Sequence, residues 1–123
     1  MNKIGKPNLE VFSETLLKEA RKNKNIIVVT SDSRGSGKLV PFGKELPNQI
    51  IEVGIAEQNL VGVSSGLAAG GKIVFGVSPA SFLTARALEQ IKNDVAYSDL
   101  NVSLIGISAV SYTHLRAHET VVY

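Results

Sequence analysis

Between residues 9 and 22 the apolar positions recur three and four apart. Leu9, Phe12, Leu16, Leu17 and Ala20 share one stripe, while Glu10, Glu14, Lys18 and Arg21 face away. That period predicts an amphipathic helix over 9–22, with Asn8 placed to cap it through its side-chain oxygen and residues 23–25 ending it. The run IIVVT at 26–30 does not alternate at all, which suits a strand covered on both faces, as in a parallel sheet. A polar loop follows over 31–38, then a stretch to residue 46 with no assignable period. Residues 49–53 read as a second short strand. Residues 57–69 read as a helix rich in Gly, Ser and Ala, stopped by Gly70 and Gly71. Residues 73–77 are a third strand, 81–97 a third helix with Leu83, Ala87, Ile91 and Val95 as its apolar face, and 101–107 a fourth strand. Helices alternating with buried strands predict an α/β fold, a mostly parallel sheet flanked by helices.

The chain has 123 residues, enough for one domain with a real core. Its formal charge is +2 and only 6% of residues are aromatic, with no Trp, so no stacking platform for nucleic acid is expected. Lys18, Arg21, Lys22 and Lys24 form a loose basic cluster, which a helix C-terminus accounts for through its carbonyl dipole. Cys is absent, which removes disulfides and thiolate metal sites. The first eight residues lack the apolar core of a signal peptide. No apolar run approaches the roughly 18 residues that span a bilayer, so a cytoplasmic protein without membrane contact is expected.

Two phosphate-binding motifs fail in the loop after the first strand. A P-loop needs Gly where Asp32 stands and Ser or Thr where Leu39 stands. In the dinucleotide pattern Gly35 and Gly37 fit, but the third glycine is replaced by Val40. The loop still sits at the C-terminal end of a strand, where open α/β sheets bind ligands. Read alone, it is more simply a flexible Gly/Ser turn.

The segment Glu52-Val53-Gly54-Ile55-Ala56-Glu57-Gln58-Asn59-Leu60 is a strand, a sharp turn at Gly54, and a small-residue helix with a carboxylate in its first turn. On its own, Glu57 is accounted for by the free N–H groups and positive dipole end there. However, GIAEQNLVGVSSGLAAGG, followed by SFLTARALEQI at 81–91, resembles the glutamate motif and the aromatic-and-helix segment of the transketolase family. The likeness runs from about Asn8 to Ser108 and is strongest to the separately encoded C-terminal subunits of split bacterial transketolases.

The resemblance implies the pyrimidine-binding domain of the thiamine-diphosphate-binding fold, incomplete at its C-terminus. It implies that Glu57 is catalytic, its carboxyl group hydrogen-bonding a ring nitrogen of the cofactor's aminopyrimidine and favouring the imino tautomer that deprotonates the thiazolium carbon. Phe82 corresponds to an aromatic lining the pyrimidine, although it also reads as a core residue. Pro79 replaces a second aromatic found in many members. Ser31 and Asp32 correspond to positions near the cofactor and substrate entrance. The family binds Mg²⁺ and the diphosphate on another domain through a Gly-Asp-Gly motif, absent here. No metal ligand is therefore expected in this chain.

The expected partner is a diphosphate-binding N-terminal subunit, in a dimer or heterotetramer acting on sugar phosphates, with two-carbon ketol transfer as the activity and the chain inactive alone. The alternatives are part of a deoxyxylulose phosphate synthase or of a 2-oxoacid dehydrogenase beta subunit, or a non-catalytic α/β binding module. The small-residue helix reads equally as an interface and as a helix packed on its own sheet. Residues 110–120 closely resemble translated sequencing-adapter sequence, so the partial domain is expected to occupy 1–108 and a non-native tail 109–123. That tail holds both histidines, His114 and His118, four apart and beside Glu119. They read as an accidental pair rather than a metal site.

Overall fold

In the computed structural model, which describes residues 5–108, four strands form one parallel sheet in the order β2-β1-β3-β4. They are β1 (Ile26–Thr30), β2 (Ile50–Glu52), β3 (Ile73–Pro79) and β4 (Val102–Ile107). The helices are α1 (Asn8–Lys22), α2 (Val40–Glu45), α3 (Glu57–Ala69), α4 (Ala80–Arg86) and α5 (Leu88–Gln90). The expected α/β architecture with a parallel sheet is the one observed. The tail at 109–123, with its histidine pair, lies outside the described residues.

Strand β1 is buried along its whole length, because it feeds two cores at once. Ile26 and Val28 point toward Leu16, Ala20, Leu39 and Phe42. Ile27 and Val29 point the other way, toward Leu60, Val61, Leu83 and Ala87. Alternation is absent from the sequence here because both faces are dry. At about 1.5–3 kcal/mol for each fully buried aliphatic side chain, this strand is the centre of the fold. Helix α3 lies close on β3, and Gly76 permits it: a Cβ there would come within 2.8 Å of Leu60 Cδ2 and 3.0 Å of Leu104 Cδ2.

Two sequence expectations need correction. Asn8 does not cap α1; it is the first helical residue, and Pro7 takes the cap position with no side-chain hydrogen bond. Pro7 is extended, and its carbonyl accepts the N–H groups of Glu10 and Val11. The first turn is thus entered without a capping side chain, through Pro7's fixed φ and its carbonyl alone.

The helix expected over 81–97 is broken. Helix α4 stops before Ala87 (φ −107°, ψ 14°), a short α5 follows, and Ile91–Ala96 is a π-helical turn. The reason lies in the apolar spacing. Leu83, Ala87, Ile91 and Val95 are each four apart, and an α-helix of 3.6 residues per turn rotates that row by about 40° per step. The break and the wider π turn bring all four onto the same core. The stretch to residue 46, unassigned from sequence, contains α2, anchored by the buried Phe42.

Candidate functional site

The strand order places a switch point between β1 and β3: the chain leaves β1 toward β2 on one side and returns to β3 on the other. In open α/β sheets the crevice beyond the strand ends at such a point is the usual ligand position. Three serines gather there. Ser31 Oγ and Ser78 Oγ are 2.6 Å apart and buried, and Ser33 Oγ donates to the Val77 carbonyl at 2.7 Å. The Ser31 hydroxyl is thus engaged inside the fold. Asp32 is exposed and held at φ +58°, the left-handed region that costs a non-glycine residue about 1–2 kcal/mol.

What holds Asp32 there is Glu52, at the end of β2. Glu52 Oε2 accepts the Asp32 N–H at 2.6 Å and the Gly54 N–H at 2.8 Å, and Oε1 accepts the Thr30 hydroxyl at 2.8 Å. Arg34 Nε stands 3.9 Å from Oε1. Burial pushes this carboxyl group up. The donors from Asp32, Thr30 and Gly54, with the Arg34 charge, outweigh it and hold the group below the ordinary glutamate value.

Gly54, at φ +77°, turns the chain from β2 into α3 and sets down Glu57 at the first turn of that helix. Glu57 is only 4% exposed, yet it lines an open cleft of about 530 Å³ together with Ile55, Ala56, Gln58, Asn59 and Arg86. Arg86 Nη1 lies 3.5 Å from Glu57 Oε2, and the same guanidinium sits 4.2 Å over the ring of Phe82, one helical turn earlier. Gln58 Nε2 donates to the Arg86 carbonyl at 3.0 Å and fixes the end of α4 against α3. The carboxylate and the aromatic ring therefore flank one planar, nitrogen-bearing group.

The structure brings Glu57 and Phe82 together through Arg86, and it brings Ser31 and Asp32 together in the switch-point loop. Glu52 links the two loops, from Asp32 to Gly54. Arg86, Glu52 and Ser78 were missed by sequence reasoning. Arg86 had a signal, since it stands four residues after Phe82 on the same helix face. Glu52 had none, because an acid ending a strand is ordinary until its partners are placed.

Helix α3 divides its small residues between two sides. Ser64 and Ser65 are buried and donate back to the carbonyls of Leu60 and Val61. Gly62 and Gly66 face open space, where an added Cβ meets nothing within 4 Å. Among the described residues no group of His, Cys, Asp and Glu is arranged to hold a metal ion, and no helix is long and apolar enough to cross a membrane.

Residues 7–116 match the family described as transketolase, pyrimidine binding domain. The chain is 50% identical to an apulose-4-phosphate transketolase subunit of Phocaeicola vulgatus, over 90% of this chain and 38% of that protein. It is 42% identical to a putative transketolase C-terminal section of Methanocaldococcus jannaschii, over 80% of this chain and 31% of that protein. A solved split-gene transketolase, an inactive beta4 tetramer, superposes with a TM-score of 0.71 at 38% identity, over 79% of this chain and 32% of the other. The chain thus spans less than two fifths of the length of the relatives it matches. The match covers both the strand–turn–helix bearing Glu57 and the helix bearing Phe82, and the chain belongs to the transketolase family as part of its pyrimidine-binding domain.

Proposed function

We propose that this chain forms the pyrimidine half of a thiamine-diphosphate site in a split transketolase that transfers two-carbon ketol units between sugar phosphates. One observation carries the reading. Glu57 is a buried carboxyl group whose free side opens on a cleft, with an aromatic ring close enough that a single planar cation touches both. An aminopyrimidine is also planar and nitrogen-bearing, so these groups fit it in kind. Membership of the family supports the same cofactor.

When bound, thiamine diphosphate supplies the thiazolium carbon that takes up and releases the ketol unit. The chain's own residues do the rest. Glu57 holds a proton at a ring nitrogen of the pyrimidine, Phe82 covers one face of the ring, and Arg86 yields its place beside both. Asp32 stands exposed at the substrate side of the crevice, and Ser31 lies buried behind it, its hydroxyl paired with Ser78. On this reading the diphosphate and the Mg²⁺ that bridges it belong to a partner subunit, as the family's division of its site implies. The glycine edge of α3, open in this structure, is the surface offered to that partner. The domain boundary after residue 108 is part of the same reading.

The similar beta4 tetramer is described as inactive, which supports a chain that needs its partner to turn over. The test is ketol transfer by the full-length subunit assembled with its diphosphate-binding partner, with wild type compared to Glu57→Gln. Gln keeps one hydrogen bond but cannot exchange the proton. A loss of about 10²–10⁴-fold is expected. Near-normal transfer by the variant would leave Glu57 as a helix-terminus residue only.

A further inference from the structure

The carboxylate of Glu52 touches both loops of the site. Its Oε2 atom receives two backbone N–H groups from different loops, Asp32 after β1 and Gly54 after β2. Its Oε1 atom is filled by the Thr30 hydroxyl and faces Arg34. Both backbone donors come from residues at positive φ, Asp32 at +58° and Gly54 at +77°. Three residues beyond Gly54 stands Glu57. The approach to it is otherwise lightly held: Ala56 N–H bonds to the Gly54 carbonyl, and Ile55 is 75% exposed.

We propose that Glu52 is a positioning residue: it clamps the Gly54 turn to the Asp32 loop and thereby fixes where α3 presents the Glu57 carboxyl group to the cleft. The inference rests on the thiamine reading above and deepens it. Removing the carboxylate frees two solvent-facing N–H donors, one from each loop, and lets both loops relax. The first turn of α3 then shifts by a fraction of an ångström to an ångström, and misplacement of that order costs a reaction about 10²-fold. Glu52→Gln has a milder fate. Its amide oxygen accepts both N–H groups and its NH₂ group donates to Thr30, so the clamp persists without its charge.

The first measurement needs no turnover. In the full-length subunit, NMR follows the amide protons of Asp32 and Gly54 through an acid titration. Both are expected downfield, both moving together with a carboxyl group that titrates below the ordinary glutamate range, with Arg34 as its charged neighbour. Gly54 is expected to lose its protection from hydrogen exchange in Glu52→Ala and to keep most of it in Glu52→Gln. Unshifted amides, or equal protection in both variants, would overturn the clamp.

The second measurement is ketol transfer by the assembled enzyme. Glu52→Ala is expected to lower kcat about 10²-fold with KM for sugar phosphate little changed, and Glu52→Gln to restore most of it. Because Glu52 acts through Glu57, the double variant Glu52→Ala/Glu57→Gln is expected to be no slower than Glu57→Gln alone. Where the alanine variant does not assemble, Glu52→Asp, one methylene too short to span both loops, replaces it with the same expected loss. If Glu57→Gln is slow while Glu52→Ala keeps its full kcat, the thiamine reading stands and this inference falls. If Glu57→Gln itself is fully active, both fall.

Discussion

Two glycines on opposite sides of the α3–β3 contact respond to the same substitution in opposite directions. Gly76 lies in the middle of β3, paired with Val29 on one side and Leu104 on the other. A methyl group there would stand 2.8 Å from Leu60 Cδ2, 3.0 Å from Leu104 Cδ2 and 3.4 Å from Ser64 Oγ. Leu104 is half-buried and can give way, but Leu60 has no exposed surface and Ser64 is tied to the Leu60 carbonyl. Helix α3 must therefore lift slightly off the sheet. Overpacking of this kind costs about 1–3 kcal/mol, and the lost entropy of the unfolded glycine returns about 0.4–1 kcal/mol. Gly76→Ala should thus destabilise the chain by about 1–2 kcal/mol.

Gly66→Ala meets nothing within 4 Å in a helix interior, and should stabilise it by about 0.5–1 kcal/mol. Urea unfolding followed by far-UV circular dichroism separates the two. With m of about 1–3 kcal/mol/M, Gly76→Ala should lower the midpoint by about 0.5–1 M, and Gly66→Ala should raise it. A midpoint unchanged or raised by Gly76→Ala would refute the close packing of α3 on β3.

Acid stability should report the lowered carboxyl group of Glu52. Its contribution is fully present above the ordinary glutamate range and is lost as pH falls through the lowered folded value. Glu52→Gln should flatten that acid limb in a melting-temperature profile, and an identical profile would contradict the assignment. Glu45, paired with Arg21 and also lowered, is exposed and should contribute little, the more so in salt. Isothermal titration of the chain alone with thiamine diphosphate and Mg²⁺ should show binding no tighter than roughly millimolar, about 4 kcal/mol; micromolar binding would end the shared-site reading. Deleting residues 109–123 should leave the melting temperature unchanged, and a marked fall would mean that the tail packs on the core.

Local rules were enough for the strands, because IIVVT and its counterparts carry β-branched residues on both faces. They were enough for α3 as well, whose bounds at Glu57 and Ala69 are those the small-residue run and the Gly70-Gly71 stop predict. The break at Ala87 was not legible as a break. A four-residue apolar period reads as helix, and only the shared core shows that one straight helix cannot deliver all four side chains. The site divides in the same way. Glu57 and Phe82 lie in motifs whose spacing is visible along the chain, whereas Glu52 matters through Asp32, twenty residues earlier in the chain. Arg86 matters through Glu57, twenty-nine residues away. Contacts across that separation depend on the turn at Gly54 and on the end of α4, neither of which has a periodic signature.

The strand order also sets how this chain can be made. With every neighbouring pair among the described strands parallel, these strands offer no hairpin as a first step. The central pairing of β1 with β3 must close a long loop, as the Ser31–Ser78 hydroxyl pair shows, 47 residues apart. Loop closure of that length comes before the contacts that reward it, and topologies dominated by such pairings fold slowly. During synthesis, IIVVT emerges well before its permanent neighbour on the β3 side exists. A nascent chain therefore carries this mostly apolar strand without its β3 neighbour for several seconds at ordinary elongation rates of about 5–20 residues per second. In that interval the helix stripe of α1, already synthesised and facing Ile26 and Val28 in the finished fold, is the cover at hand.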